Sequence, residues 1–185
     1  MAKHVCPWRH AYLFDNILRR LVHNPKKILS PYLNPEMTVM DLGCGMGFFS
    51  IAMAKMLGSS GSVIAVDLQQ EMLDVLAGRA AKKGVAQRIR LHRCEAGHIG
   101  VKEKVDFALA FWMVHEIPDQ LSFARQVLSC LKPSGKFMIV EPRFHVSQAD
   151  FQGTLGAISA AGFHKCGEPH IRLSRTAVFE DKATV

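Results

Sequence analysis

The sequence predicts an α/β fold whose parallel sheet becomes mixed at one edge. Three observations predict it. After residue 37, short β-branched runs alternate with segments of helical periodicity. The first of these runs leads into a glycine-rich turn that opens a helix, and two closely connected β-like runs end the chain. A length of 185 residues, with 49% apolar and 21% charged residues, is ordinary for one globular domain that buries a sizeable core.

The first half of the predicted sheet contains three strands. Thr38–Leu42 is the first strand, followed by the glycine turn and a helix to about Leu57. Ser62–Asp67 is the second strand, and the helix after it stops at Gly84, a glycine suited to a helix C-terminus. The apolar face of that helix consists of Met72, Leu73, Leu76 and Ala80. Residues 88–93 alternate apolar and basic residues, which predicts a third strand with one less-buried face.

The second half begins with a nearly continuous apolar run at 105–112, which is typical of a strand covered on both faces. A helix follows Pro118 and ends in the predicted turn KPSG, before a fifth strand at 136–141. Its apolar positions at helical spacing are Leu121, Ala124, Leu128 and Leu131.

The tail adds one more helix and a hairpin. The helix ends at Gly162, and its apolar positions are Phe151, Leu155, Ile158 and Ala161. The runs at 165–173 and 175–180 are too closely connected for a parallel crossover, which needs a dozen or more residues. They are therefore predicted to pair as antiparallel strands.

Composition excludes several classes of protein. The longest strongly apolar stretch, 107–114, is far shorter than the ~18 residues of a membrane helix, and the N-terminus lacks the apolar core of a secretory signal. A cytoplasmic location is expected. The cysteines are odd in number and form no CxxC pair, which favours reduced thiols over disulfides or a metal site. They are Cys6, Cys44, Cys94, Cys130 and Cys166.

The net charge of +7 is unevenly distributed. Residues 79–104 contain eight basic and two acidic residues, and residues 1–40 contain six and two. Binding to RNA or another anionic partner is one interpretation. The favoured interpretation is that these basic residues form the solvated face of a helix and of the strand that follows it. No RGG tract, zinc finger or aromatic-studded basic motif is present to support RNA binding.

The most informative segment is VMDLGCGMGFFS at residues 39–50, where an apolar strand runs into three glycines at the start of a helix. Such a turn lets a ligand approach the backbone, and the amides at the helix N-terminus favour an anionic group. Asp67 ends the second strand 20 residues beyond Gly47, where a carboxylate can accept both hydroxyls of a ribose. These residues predict a nucleoside site. Asp41, two residues before Gly43, suits an α-amino group better than a pyrophosphate.

From about residue 37 onward the chain resembles the class I S-adenosylmethionine-dependent methyltransferases. DLGCGMG matches the family's DxGxGxG, VIAVD matches its second-strand acid, and KPSGKFMIVEP is similar to its fifth-strand segment. The resemblance implies a Rossmann-like three-layer sandwich on a seven-stranded mixed sheet, with the last strand inserted between its neighbours. Residues 38–185 would form the methyltransferase domain. An NAD-binding oxidoreductase remains the alternative for the same glycine turn.

The resemblance also implies which residues bind S-adenosylmethionine and its product S-adenosylhomocysteine. Asp41 would lie near the amino group, Asp67 at the ribose hydroxyls, and Glu95 at the adenine amino group under an apolar cover from Leu68. A shift of the alignment by one residue would give Cys94 the role of Glu95. The full implied set is Tyr12, Asp41, Gly43, Cys44, Gly45, Gly47, Asp67, Leu68, Glu95, Ala96 and Phe111; no metal ligands are implied.

The segment FALAFWMVHEIPD lies where the family places the methyl acceptor. It lacks the NPPY-type motif of amide and exocyclic-amine methylation, and it matches the LHH of the small-molecule branch at His115 but not at Glu116. If the acceptor is a hydroxyl or a carbon acid, His115 is the expected base. The alternative is that His115 merely caps a loop. No insertion appears in the tail where larger members build substrate domains, so a small-molecule acceptor is expected.

Residues 1–37 are expected to form a helical lid segment. The run from Tyr12 faintly resembles the quinone C-methyltransferase branch, and Trp8 is a candidate for an acceptor pocket, although core packing of the helix is favoured. Arsenite methylation would need converging thiolates, for which Cys6 and Cys44 are the candidates. A second hypothesis is a cofactor-binding module that acts on RNA or a protein partner through residues 79–104.

Overall fold

The computed structural model describes residues 22–184. The helices are α1 (Pro25–Leu29), α2 (Phe48–Met56), α3 (Gln70–Lys82), α4 (Gln120–Cys130) and α5 (Gln148–Ala160). The strands are β1 (Thr38–Leu42), β2 (Ser62–Asp67), β3 (Ile89–Arg93), β4 (Val105–Phe111), β5 (Leu131–Pro142), β6 (Phe163–Gly167) and β7 (Ser174–Asp181).

The strands form a seven-stranded sheet in the order β3-β2-β1-β4-β5-β7-β6. β1 to β3 pair in parallel, as do β4 and β5, whereas β7 pairs antiparallel with both β5 and β6. The predicted α/β fold class is therefore confirmed, including the closing hairpin and the insertion of the last strand between its neighbours. By its contacts the chain divides into two compact units, one ending at Cys94 and the other beginning at Glu95.

In the first unit, strand register brings the ends of β1 and β2 together. Leu42 pairs with Val66, so the glycine turn that follows β1 and Asp67 at the end of β2 leave the same edge of the sheet. Both strands are buried almost throughout, as expected for parallel strands with covered faces. The predicted apolar face of α3 is confirmed, because its buried residues are Met72, Leu73, Leu76 and Ala80.

In the second unit, β4 is one residue shorter than predicted. Trp112 has a φ of 61°, outside the extended region, so the strand ends at Phe111. The expected KPSG turn is also wrong as a boundary. β5 begins directly after α4 and contains these residues as an irregularity, where the register with β4 shifts and Ser134 has a φ of 64°.

Three smaller predictions differ from the structure. Leu91, assigned to the apolar side of β3, is 37% exposed, because this strand lies at the sheet edge. Of the residues predicted for the buried face of α4, Ala124 is confirmed; the other buried residues are Phe123, Val127 and Cys130 instead of the leucines. The run predicted at 165–173 only overlaps the strand, because β6 begins at Phe163 and ends at Gly167.

Only part of the predicted N-terminal segment is described. Helix α1 begins after Asn24, whose side chain accepts the Lys27 N–H at 3.2 Å, and it packs on α2. Tyr12, Trp8 and Cys6 lie outside the described residues, so the lid stays a prediction. Between residues 22 and 184, no helix is both long and apolar enough to cross a membrane.

Candidate functional site

The glycine turn after β1 is tied to the end of β2 by hydrogen bonds. Its three glycines, Gly43, Gly45 and Gly47, have φ angles of 65°, 51° and 85°. The Cys44 N–H donates to the Val66 carbonyl at 3.0 Å, and the Gly47 N–H donates to the Cys44 carbonyl at 3.0 Å. The turn is therefore held in place by backbone hydrogen bonds of its own and to the end of β2.

Gly47 and Gly45 are glycines for different physical reasons. A Cβ on Gly47 would lie 2.0 Å from Cδ1 of Leu76, so Gly47 allows the start of α2 to pack closely on α3. A Cβ on Gly45 would meet no atom within 4 Å. Gly45 is thus a position where the backbone borders open space, and where a ligand can approach the main chain closely.

Asp67 is fixed against this turn by the backbone. Its Oδ2 accepts the Gly45 N–H at 2.8 Å and its Oδ1 accepts the Gln69 N–H at 3.0 Å. Burial raises the pKa of the Asp67 carboxyl, and the backbone hydrogen bonds from Gln69 and Gly45 oppose that rise. The Leu68 backbone also hydrogen-bonds to this carboxylate, and of its roughly four acceptor positions one is left for a ligand hydroxyl. The geometry suits one hydroxyl of a vicinal diol at the end of β2.

Asp41 lies beneath the turn rather than on an open surface. It is 2% exposed, and its Oδ2 accepts the Ser50 hydroxyl at 2.5 Å, which links β1 to the first turn of α2. The sequence analysis did not single out Ser50. Its signal is a hydroxyl three residues after Gly47 within the apolar run FFSIAMA. Burial, with the Asp41 and Asp67 carboxylates nearby, holds the pKa of the Cys44 thiol well above its usual range.

The residues predicted to contact an adenine lie in loops. Leu68 is half-buried directly after Asp67, and the Cys94 N–H donates to the Asp67 carbonyl at 3.0 Å. Glu95 and Ala96 are exposed in a tight turn, where Glu95 and His98 exchange backbone hydrogen bonds of 3.1 and 3.0 Å. Cys94, the alternative to Glu95, is therefore bonded directly to the Asp67 backbone.

In the second unit, His115 is held by Glu141, at the end of β5. His115 Nδ1 lies 2.5 Å from Glu141 Oε2, and the same oxygen accepts the His115 N–H at 3.2 Å. The other oxygen, Oε1, accepts the Val114 N–H at 3.1 Å. One carboxylate therefore fixes both the imidazole and the 3₁₀ turn Val114–Glu116 that carries it.

This contact sets the tautomer of His115. A carboxylate only accepts hydrogen bonds, so Nδ1 carries the proton that it donates to Glu141. In the neutral ring the lone pair then belongs to Nε2. The side chain of Glu141 is 1% exposed and that of His115 is 17% exposed, so the imidazole reaches solvent while its partner does not. This arrangement can accept a proton at Nε2.

One aromatic ring packs on the imidazole, and a separate aromatic cluster is built on Trp112, three residues before His115. The ring of His145 packs edge-to-face on that of His115 at 4.9 Å, and the ring of Phe144 packs edge-to-face on Trp112 at 5.4 Å. Trp112 is fixed because its Nε1 donates to the Ser174 hydroxyl at 3.1 Å. Phe144 is 68% exposed. Phe111, a predicted cofactor residue, is buried and packs on Trp112.

Within the described part of the chain, no group of three or more His, Cys, Asp or Glu residues is arranged to hold a metal ion. The sequence analysis missed Glu141 as a site residue, although it ends the apolar run of KPSGKFMIVEP. The available signal was an acid directly after the four apolar residues FMIV, which are fully buried in β5.

The sequence matches the family model described as a methyltransferase domain over residues 33–171. It is 32% identical over 103 residues to a demethylmenaquinone methyltransferase of Lactobacillus johnsonii, covering 55% of this chain and 42% of that protein. It is 31% identical over 117 residues to an arsenite methyltransferase of Halobacterium salinarum, covering 63% of this chain and 29% of that protein. The matches thus span less than half the length of either relative.

The fold also matches solved structures. The crystal structure of an S-adenosylmethionine-dependent methyltransferase from Aquifex aeolicus aligns with a TM-score of 0.85 over 95% of this chain and 98% of that chain. The two sequences are 22% identical. At this identity the similarity establishes a shared fold.

Proposed function

The chain belongs to the methyltransferase domain family, and on that premise we propose that it transfers the methyl group of S-adenosylmethionine to a small-molecule acceptor. The observation that carries the proposal is the hydrogen bond from the Gly45 amide to the Asp67 carboxylate, beside a stretch of backbone that borders open space. A bound nucleoside needs both features at one place: an acceptor for a ribose hydroxyl and close access to the main chain.

The residues present fit S-adenosylmethionine. Asp67 has acceptor capacity left for a ribose hydroxyl, and the turn at Gly43, Gly45 and Gly47 suits the anionic carboxylate of the methionine end. We propose that Asp41, Cys44, Leu68, Glu95, Ala96, Phe111 and Tyr12 complete the cofactor site. When bound, the cofactor supplies a methyl group already activated by its sulfonium.

His115 is proposed to take a proton from the acceptor at Nε2. Glu141 keeps the ring oriented and its Nδ1 protonated, the role that an acid behind a catalytic histidine plays in other enzymes. The main contribution of the protein is alignment of the acceptor, because effective concentrations from orientation alone reach about 10⁵ to 10⁸ M. Proton removal adds a factor of roughly 10² to 10⁴.

We propose an aromatic acceptor with a hydroxyl or an acidic ring carbon. The ring of His145, which packs on His115, and the exposed ring of Phe144 support a planar molecule. One relative is named as acting on demethylmenaquinone.

A cytoplasmic location is part of the proposal, since the described cysteines are all free thiols, the state that a reducing compartment maintains.

The alternative of an RNA-binding or protein-binding module loses support from two of its basic residues. Arg79 Nη1 donates to the Met46 carbonyl and Arg88 Nη1 donates to the Ala54 carbonyl, each at 3.3 Å. Both arginines therefore bond to backbone carbonyls in and beside α2. RNA affinity that falls steeply with rising salt would favour the module instead.

The experiment compares His115→Ala and Glu141→Gln with the unchanged chain, using a reduced 1,4-naphthoquinone and a catechol as acceptors. Methyl transfer is expected to fall by about 10² to 10⁴ in His115→Ala, with S-adenosylmethionine affinity unchanged. Glu141→Gln should lower kcat and leave the acceptor KM near its original value, because it disturbs the tautomer and orientation of the ring. The control is His164→Ala, which removes an exposed histidine of β6. Equal transfer by His115→Ala and the control would refute the assignment of the base.

A further inference from the structure

A small cavity lies within the second unit, between the start of α5, the end of β5 and the loop that joins β6 to β7. Its volume is about 130 Å³. The cavity thus has room for a carboxylate or phosphate group of a bound molecule.

The lining is strongly cationic. Three cationic side chains, Arg143, Lys165 and Arg175, border the cavity together with one carboxylate, Glu168, which leaves two positive charges in excess. Lys165 Nζ lies 2.5 Å from Glu168 Oε2, so these two groups neutralise each other. The excess charge therefore belongs to the two arginines.

Both arginines are positioned by the backbone. Arg143 Nε donates to the Ser174 carbonyl at 2.8 Å, and Arg175 Nε donates to the Val146 carbonyl at 3.1 Å. Arg175 Nη1 also donates to the Gln148 side chain. A guanidinium has five N–H donors, so each arginine keeps donors for a ligand after these bonds. Held in this way, the arginines lose little further entropy when an anion binds.

The floor of the cavity is apolar and its hydroxyls are already bonded. Phe151 and Ile171 are buried there. The Thr176 hydroxyl donates to the Pro169 carbonyl, and the Ser174 hydroxyl accepts from Trp112 Nε1 while donating to the Arg172 carbonyl. The two arginines carry the excess positive charge of this lining, and that charge favours an anion.

Ser174 connects this cavity to the His115 region. It lines the cavity, accepts the hydrogen bond of Trp112, and pairs with Pro142 in the register of β5 and β7. We propose that the cavity binds a carboxylate or phosphate group at one end of the methyl acceptor, an inference that rests on the proposed function. The acceptor class is then an aromatic molecule that also carries an anionic substituent.

The test uses the fluorescence of Trp112. The chain has two tryptophans, and a Trp8→Phe background leaves Trp112, which bonds to a residue of the cavity wall. Benzoate and inorganic phosphate are titrated separately at constant ionic strength, so that general screening stays fixed, and isothermal titration calorimetry is run at the same concentrations. A saturable change with either anion is expected; a response to benzoate alone indicates a carboxylate, and one to phosphate alone a phosphate ester.

The variants Arg143→Gln and Arg175→Gln should each raise the Kd for the anion at least tenfold. Lys102→Gln is the matched control, since it removes one charge from an exposed position of the same unit that does not line this cavity. Its Kd should stay within twofold of the parent. Absence of saturable binding by both methods, or an equal loss in the control, would overturn the proposal. S-adenosylmethionine affinity is measured on the same samples, so failure of the cofactor site is detected separately from failure of the anion site.

Discussion

Replacement of Gly45 by alanine separates ligand access from fold stability. A Cβ at Gly45 meets no atom within 4 Å, so the fold has room for it and the cost is the left-handed backbone, with φ at 51°. That conformation costs a non-glycine residue about 1–2 kcal/mol. The added methyl group occupies the open space beside Asp67, where we propose that the cofactor binds. S-adenosylmethionine Kd should rise at least tenfold, or about 1.4 kcal/mol.

Gly84→Ala is the matched control for this variant. Gly84 also has a left-handed φ, 67°, and open space for a Cβ. It follows the C-terminal end of α3, whose 13 residues separate it from the Asp67 end of that helix by about 20 Å. Urea unfolding should show similar stability losses in the two variants, and calorimetry should show weaker S-adenosylmethionine binding only in Gly45→Ala. Equal affinities in the two variants would refute the assignment of the open space to the cofactor.

Three further predictions follow from the same geometry. Gly47→Ala should lower the free energy of unfolding by about 2–5 kcal/mol, because left-handed strain and the 2.0 Å clash with Leu76 add together. Urea denaturation measures this loss. A loss below about 1 kcal/mol would contradict the packing argument. Asp67 has a raised pKa, so the folded state holds the proton more tightly than the unfolded chain, and the free energy of unfolding should fall as pH rises above 3.8 through that raised pKa. In Asp67→Asn the dependence of stability on pH should be weaker, and S-adenosylmethionine should bind at least tenfold more weakly. An unchanged pH dependence would count against the raised pKa of Asp67. Cys166 is exposed and Cys44 is buried, so iodoacetamide should label Cys166 before Cys44, as followed by mass spectrometry; faster labelling of Cys44 would contradict the burial.

The parts of the fold that depend on local pattern could be predicted from the sequence. The bounds of β1 and β2 and the buried face of α3 agree with the structure, because strand alternation, helical periodicity and glycine turns are read within one segment. The end of β4 could not be predicted in this way. Trp112 leaves the extended region although its apolar side chain continues the run, and its hydrogen bond to Ser174 spans 62 residues.

In the candidate site, too, the features set by local pattern could be predicted and those set by strand pairing could not. Asp67 and the glycine turn follow from motif spacing, whereas the pairing of His115 with Glu141 joins residues 26 apart through the ends of two adjacent strands. Its prediction requires the register of β4 and β5, in which Phe111 lies opposite Val140. Similarly, Arg143 and Arg175 converge because β5 and β7 pair antiparallel. A single sequence contains no local signal of either register.

The most direct test of the account is isothermal titration calorimetry of the purified chain with S-adenosylmethionine, S-adenosylhomocysteine and NAD in parallel. The account predicts micromolar binding of both sulfur cofactors and no binding of NAD. Binding of NAD alone would contradict it, because the glycine turn and Asp67 would then hold a dinucleotide and the chain would be an oxidoreductase.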